Sequence, residues 1–100
     1  MDPEDQKLVT LARSALPRAL VRTWAPAGAA VRDDMGRTYA AASVETDGVA
    51  VTALQLAVAM AVSSGARSFE AAAVVGNDAD AAGVAALETF GPVALIRVAQ

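Results

Sequence analysis

The first regular spacing of apolar residues is helical. Leu8, Leu11, Ala12 and Ala15 recur three and four residues apart and predict one buried stripe. Asp2 stands before Pro3, Glu4 and Asp5, giving a capping oxygen, a residue that has no amide to leave unpaired, and acid at the positive end of the helix. Pro17 ends or kinks this helix. The following "PRALVRTWAPA" has no period and predicts a connector, with Trp24 as a packing or interface anchor. "GAAVRD" and "RTYAAASVE" flank "DMG" and predict a β-hairpin, in which Gly36 takes the positive φ of the loop.

Residues 51–66, "VTALQLAVAMAVSSGA", predict a second helix closed by Gly65. Ala53, Ala57 and Ala61 recur every four residues and permit close approach. Leu54, Val58 and Val62 form an adjoining stripe toward the sheet or a neighbouring subunit. "SFEAAAVVG" predicts a buried strand, "NDAD" a turn offering Asp78 or Asp80 as helix cap, "AAGVAALETF" a short helix stopped by Gly91-Pro92, and "VALIRVA" a last strand. The order α-β-β-α-β-α-β predicts one α/β domain over residues 1–100, with helices covering a mixed sheet.

Composition sharpens this. Alanine supplies 26 residues, so the core is built from close backbone approach more than from bulky side chains, and apolar surface is left for a partner subunit. The net charge of −3 gives no general attraction to nucleic acid, and the arginines among the first 40 residues read as a solvated surface. The acidic, polar start is unlike a signal peptide, and no apolar run reaches membrane-spanning length, so a cytoplasmic protein is expected. There is neither cysteine nor histidine. Disulfides and the two commonest zinc ligands are therefore excluded. "NDADAAG" lacks the sixth-position glycine and twelfth-position glutamate of a calcium loop and reads as a turn plus cap.

"GAAVRDDMGRTYAAASVE" is similar to the first hairpin of the small, zinc-dependent, homotetrameric cytidine deaminases, typically V-G-A-A, a D-G turn, a strand and N-V-E. "TALQLAVAMAVSSGA" resembles their C-A-E-R-A-A-I-x-x-A-V-S-x-G helix, and "ALETFGPV" their L-x-E-F followed by G-P. The resemblance covers about residues 25–98. It implies a three-layer α/β/α fold with a four-stranded mixed sheet, here shortened at the C-terminus so that "VALIRVA" forms an apolar edge, and a homo-oligomer, dimer or tetramer, packed around the second helix.

The chemistry that the resemblance implies needs zinc on three thiolates, or on one histidine and two thiolates, and a glutamate that shuttles protons to and from the metal-bound water. Carried over by position, the first ligand is Thr52, the glutamate is Leu54, and the second and third ligands are Asp80 and Gly83. No metal and no cofactor are therefore expected. The ribose contacts fall on Ala25, Ser43 and Glu45, of which only the glutamate keeps its type; Glu45 reads equally as a solvated strand end or a loop brace. Three functions follow as expectations: an inactive structural or interaction module that forms oligomers, a nucleoside- or nucleotide-sensing module using the relict pocket, and a deaminase active only beside a complete partner subunit. No nucleic-acid or membrane partner is expected.

Overall fold

The computed structural model describes every residue except 77–79 and 100. Helix α1 (Pro3–Ala15) leads through a 3-10 turn (Leu16–Arg18) into strands β1 (Ala27–Asp33) and β2 (Thr38–Ala42). A ribbon of β3 (Val44–Thr46) and β4 (Val49–Val51) follows, then α2 (Ala53–Ser63), β5 (Phe69–Gly76), α3 (Ala81–Leu87), a 3-10 turn (Glu88–Phe90) and β6 (Ala94–Val98). The main sheet runs β2-β1-β5-β6. β1 is antiparallel to both β2 and β5, and β6 is parallel to β5, so the sheet is four-stranded and mixed.

The central strands are buried on both faces because their side chains alternate between two helical layers. Ala30 of β1 and Ala71, Ala73 and Val75 of β5 pack against Leu8, Val9, Ala12 and Leu16. Ala27, Ala29 and Val31 of β1, with Ala72 and Val74 of β5, pack against Ala53, Leu54, Ala57, Val58 and Ala61 of α2. The result is the expected three-layer α/β/α arrangement. Alanine on facing surfaces lets the helices sit close to the sheet, most tightly where Gly28 meets the backbone of α1 at Ala12.

The caps explain the helix limits. Asp2 accepts from the Glu4 amide at 2.8 Å, and Pro17 falls where α1 gives way to the 3-10 turn. At the end of α2, the Ala66 amide reaches Ala61 O (2.9 Å) and the Gly65 amide reaches Val62 O (3.0 Å), with Gly65 at φ 104°. That is a Schellman closure. Asp80 caps α3; the other candidate, Asp78, lies outside the described residues.

Two expectations need correction. The buried stripe of α1 uses Val9, while Leu11 is 36% exposed, because the stripe follows the sheet beneath it. Of the second stripe, Leu54 and Val58 are buried in the core beneath the sheet, while Val62 is 43% exposed on the outer face of α2. The strand expected to run through "RTYAAASVE" breaks at Ser43. The Ser43 amide and hydroxyl both bond Ala27, and Val44–Thr46 turns away to pair with Val49–Val51 around Asp47-Gly48, where Gly48 has φ 87°. A D-G pair between apolar runs is a hairpin signal that could have located this ribbon from sequence.

The arginines of the first 40 residues are largely paired. Arg32 bonds Glu70 at 2.9 Å, Arg22 lies 3.4 Å from Asp47, and Arg37 bonds Asp33 at 2.8 Å. Asp33 is fully buried and also accepts the Met35 and Arg37 amides, each at 2.9 Å. Burial pushes its carboxyl up, but the two amides and the Arg37 guanidinium outweigh this and hold it below the ordinary aspartate range. A lowered folded value means stability that is present above the unfolded pKa and lost as pH falls through the folded one. Asp33→Ala is expected to cost about 1–2 kcal/mol at neutral pH, and urea unfolding at pH 7 and pH 2.5 should show that cost shrinking in acid.

Candidate functional site

The first turns of α2 and α3 and the end of the 20–25 connector enclose a cleft of about 420 Å3. Trp24, Ala25, Ala27, Val74, Ala53, Leu54, Ala81 and Ala82 form most of its wall, and Ser43, Thr52 and Asp80 are its polar members. The fold thus gathers most of the positions that the sequence singled out. Thr52, Leu54, Asp80, Ser43 and Ala25 line one space, and Gly83 adjoins it, since a methyl on Gly83 would lie 2.9 Å from Leu54 Cβ. Glu45 is not among the lining residues.

Each polar member is already engaged in the fold. Thr52 Oγ1 accepts the Gln55 amide at 3.0 Å, and Gln55 Oε1 accepts the Thr52 amide at 3.0 Å, a reciprocal capping box at the start of α2. Its T-x-x-Q signature is visible in the sequence. Asp80 Oδ1 accepts the Gly83 amide at 2.7 Å and caps α3. Ser43 is 2% exposed; its hydroxyl donates to Ala27 O at 3.1 Å and accepts from the Ala27 amide at 2.9 Å. Leu54 is 1% exposed and belongs to the core between α2 and the sheet.

Glu45 acts on the connector. Its Oε1 accepts the Arg22 amide at 2.6 Å and the Thr23 amide at 2.7 Å, and its Oε2 accepts the Thr23 hydroxyl at 2.5 Å. These donors, the Thr23 hydroxyl foremost, hold its carboxyl below the usual glutamate range. Leu20 adds a bridge to Val44 through bonds to Ser43 O and from the Glu45 amide. The carboxylate therefore fixes the segment that carries Trp24 and Ala25 to the cleft wall. Thr23, Gln55 and the cleft position of Trp24 were not read as site features from sequence. Only Gln55 had a local signal.

The zinc implied by the resemblance does not fit this donor set. A hydroxyl tied into a capping box, a carboxylate tied to a helix amide and a glycine provide no three-ligand site. A side chain at Gly83 would also run into Asp80 and Leu54. Among the described residues, no group of three or more His, Cys, Asp or Glu side chains converges.

Comparison with known proteins agrees with the fold. The sequence model of the cytidine deaminase-like family matches residues 1–100. The structure is similar to cytidine deaminase from Burkholderia pseudomallei, with 27% identity, a TM-score of 0.65 and 79% of this chain covered. The alignment spans 65% of that protein's chain, just under two thirds of its length. Cytidine deaminase from Mycobacterium tuberculosis is similar over 96% of this chain and 85% of its own, at 24% identity and a TM-score of 0.77. The Mycobacterium leprae enzyme is similar over 90% and 82%, at 18% identity and a TM-score of 0.75. These last two likenesses speak to fold alone. No curated protein sequence matches the chain. Among the described residues, no helix is long and apolar enough to cross a membrane.

Proposed function

The chain belongs to the cytidine deaminase-like family, and from that premise we propose that it is a catalytically inactive member serving as a structural or interaction module that forms oligomers. One observation carries the first half. At the two former ligand positions that still bear an oxygen, that oxygen caps the helix it begins, Thr52 on α2 and Asp80 on α3. Between them, Leu54 occupies the position of the proton shuttle as a buried hydrocarbon. General acid/base assistance is worth about 10²–10⁴-fold where a suitably placed group exists, and a leucine supplies none. Purified protein incubated with cytidine or deoxycytidine is expected to release no ammonia, with or without added zinc. Turnover dependent on zinc would overturn this reading.

The outer face of α2 supports the second half. The helix carries no charged residue, and Met60 and Val62 are 39% and 43% exposed beside Ala59. Light scattering is expected to report a dimer or larger species. Met60→Glu with Val62→Glu should convert it to monomer, because two charges cannot be covered by an apolar partner face without a cost of several kcal/mol. A monomeric wild-type chain at high micromolar concentration would remove oligomerisation from the proposal.

A second reading, a small-molecule sensing module, is favoured by the cleft itself. Its volume lies within the range of about 300–1,000 Å3 usual for ligand sites.

A further inference from the structure

We infer that residues 21–26 form a lid on the cleft that opens as one unit while the body stays folded, and that Glu45 is the catch that holds it shut. The inference goes beyond the proposed function and requires no ligand in the cleft. Its first support is the way the loop is tied. The Leu20 amide donates to Ser43 O at 3.0 Å, and Leu20 O accepts the Glu45 amide at 2.6 Å. At the other end the Ala27 amide donates to Ser43 Oγ at 2.9 Å, and Ala27 O accepts the Ser43 amide at 3.1 Å. Both ends therefore stand on the same short stretch, anchored by the buried Ser43. The six residues between them make a compact loop with adjacent ends. Such a loop can lift without disturbing the sheet and helices that carry it.

Second, little holds the loop between its ends. Residues 21–26 contain no helix or strand, and Arg22, Thr23, Ala25 and Pro26 are exposed. Among the described residues, hydrogen bonds from inside the loop run to Glu45 and, from the Arg22 guanidinium, to Asp47. The Asp47 pair is 3.4 Å long between side chains 61% and 100% exposed, and pairs of that kind add little. Glu45 alone takes three bonds, from the Arg22 amide, the Thr23 amide and the Thr23 hydroxyl. Third, the loop carries Trp24 and Ala25 into the cleft wall. Shut, it closes one side of the cleft; lifted, it takes both residues out of that wall. A segment with exposed backbone and few bonds opens at a lower free energy than the whole fold.

The test is Glu45→Ala in the intact chain, read in three ways. Trp24 is the one tryptophan in the sequence, so acrylamide quenching of its fluorescence reports on the loop. The quenching constant is expected at least to double. Limited trypsin digestion, followed by mass, is expected to cut after Arg22 at least tenfold faster, because cleavage tracks the open population where closing is fast. The cut after Arg18, on the 3-10 turn outside the loop, should keep its rate. The urea midpoint should stay at the wild-type value. Asp47→Ala should leave both loop signals where they are. Glu45→Gln keeps an acceptor for the two amides and should lie nearer to wild type than to alanine. Equal acceleration of the cuts after Arg18 and Arg22, with a lowered midpoint, would overturn the lid, because the body would be opening with it. Unchanged quenching in Glu45→Ala would overturn Glu45 as the catch and leave Trp24 seated by its own packing. A glutamine as open as the alanine would overturn a catch made of hydrogen bonds.

Discussion

Gly28→Ala is expected to destabilise the fold by about 3 kcal/mol or more, for the addition of one methyl group. A Cβ built at Gly28 lies 2.0 Å from Ala12 O, 2.8 Å from the Leu16 nitrogen and 3.1 Å from the Ala12 carbonyl carbon. All three are backbone atoms of the segment where α1 passes into its 3-10 turn, so no side-chain rotation relieves the overlap. Either α1 lifts from the sheet or β1 shifts against two neighbours. Lifting α1 would loosen the layer that buries Leu8, Val9 and Ala12. A domain of this size has a total stability of about 5–15 kcal/mol, so the loss is a large share of it. Gly36→Ala is the matched control: Gly36 has φ 81° but nothing within 4 Å of a built Cβ. It should cost only about 1 kcal/mol, the price of left-handed backbone. Urea midpoints rank the two, and equal midpoints would show that the α1–sheet contact is not close.

How much of this was legible in the sequence depends on the range of the interaction. Periodicity located α1, continuous apolar runs located α2, β5 and β6, and Asp2, Gly36, Gly65 and Gly91 marked ends through local backbone chemistry. The family resemblance alone groups Thr52, Leu54, Asp80 and Gly83. Gly28 shows the limit. Nothing local distinguishes it from the alanines around it, because its constraint comes from α1, which passes over it from elsewhere in the chain. Leu11 and Val9 show the same limit, since both fit a helical stripe and only the tilt of α1 on the sheet chooses between them. Glu45 was legible as a carboxylate at a strand end. That its partners are Arg22 and Thr23 is a long-range pairing across some 22–23 residues, invisible to spacing.

Leu54→Glu, which places a carboxyl where the resemblance puts the proton shuttle, is expected to cost about 4 kcal/mol or more at neutral pH. Leu54 is 1% exposed, packed among Ala53, Ala57, Val58 and Leu87 and close against Gly83. A glutamate there loses the leucine's apolar contacts and meets no cation among the described residues lining the cleft; the charged side chain on that wall is Asp80, of like sign. Its pKa in the folded chain must therefore rise above the value of about 4.3 for a free side chain. A raised folded value gives the variant its best relative stability below the unfolded pKa, and that stability is lost as pH rises through the folded one. Urea unfolding should accordingly find Leu54→Glu closer to wild type at pH 4 than at pH 8, whereas Leu54→Gln, of similar shape and without charge, should show no such pH dependence. The same carboxyl beside a bound metal would be stabilised by the cation, so the sign of this pH dependence reports what surrounds position 54. A Leu54→Glu chain as stable as wild type at pH 8 would mean that the wall is not a closed hydrocarbon surface, and the strongest physical support for an inactive module would be gone.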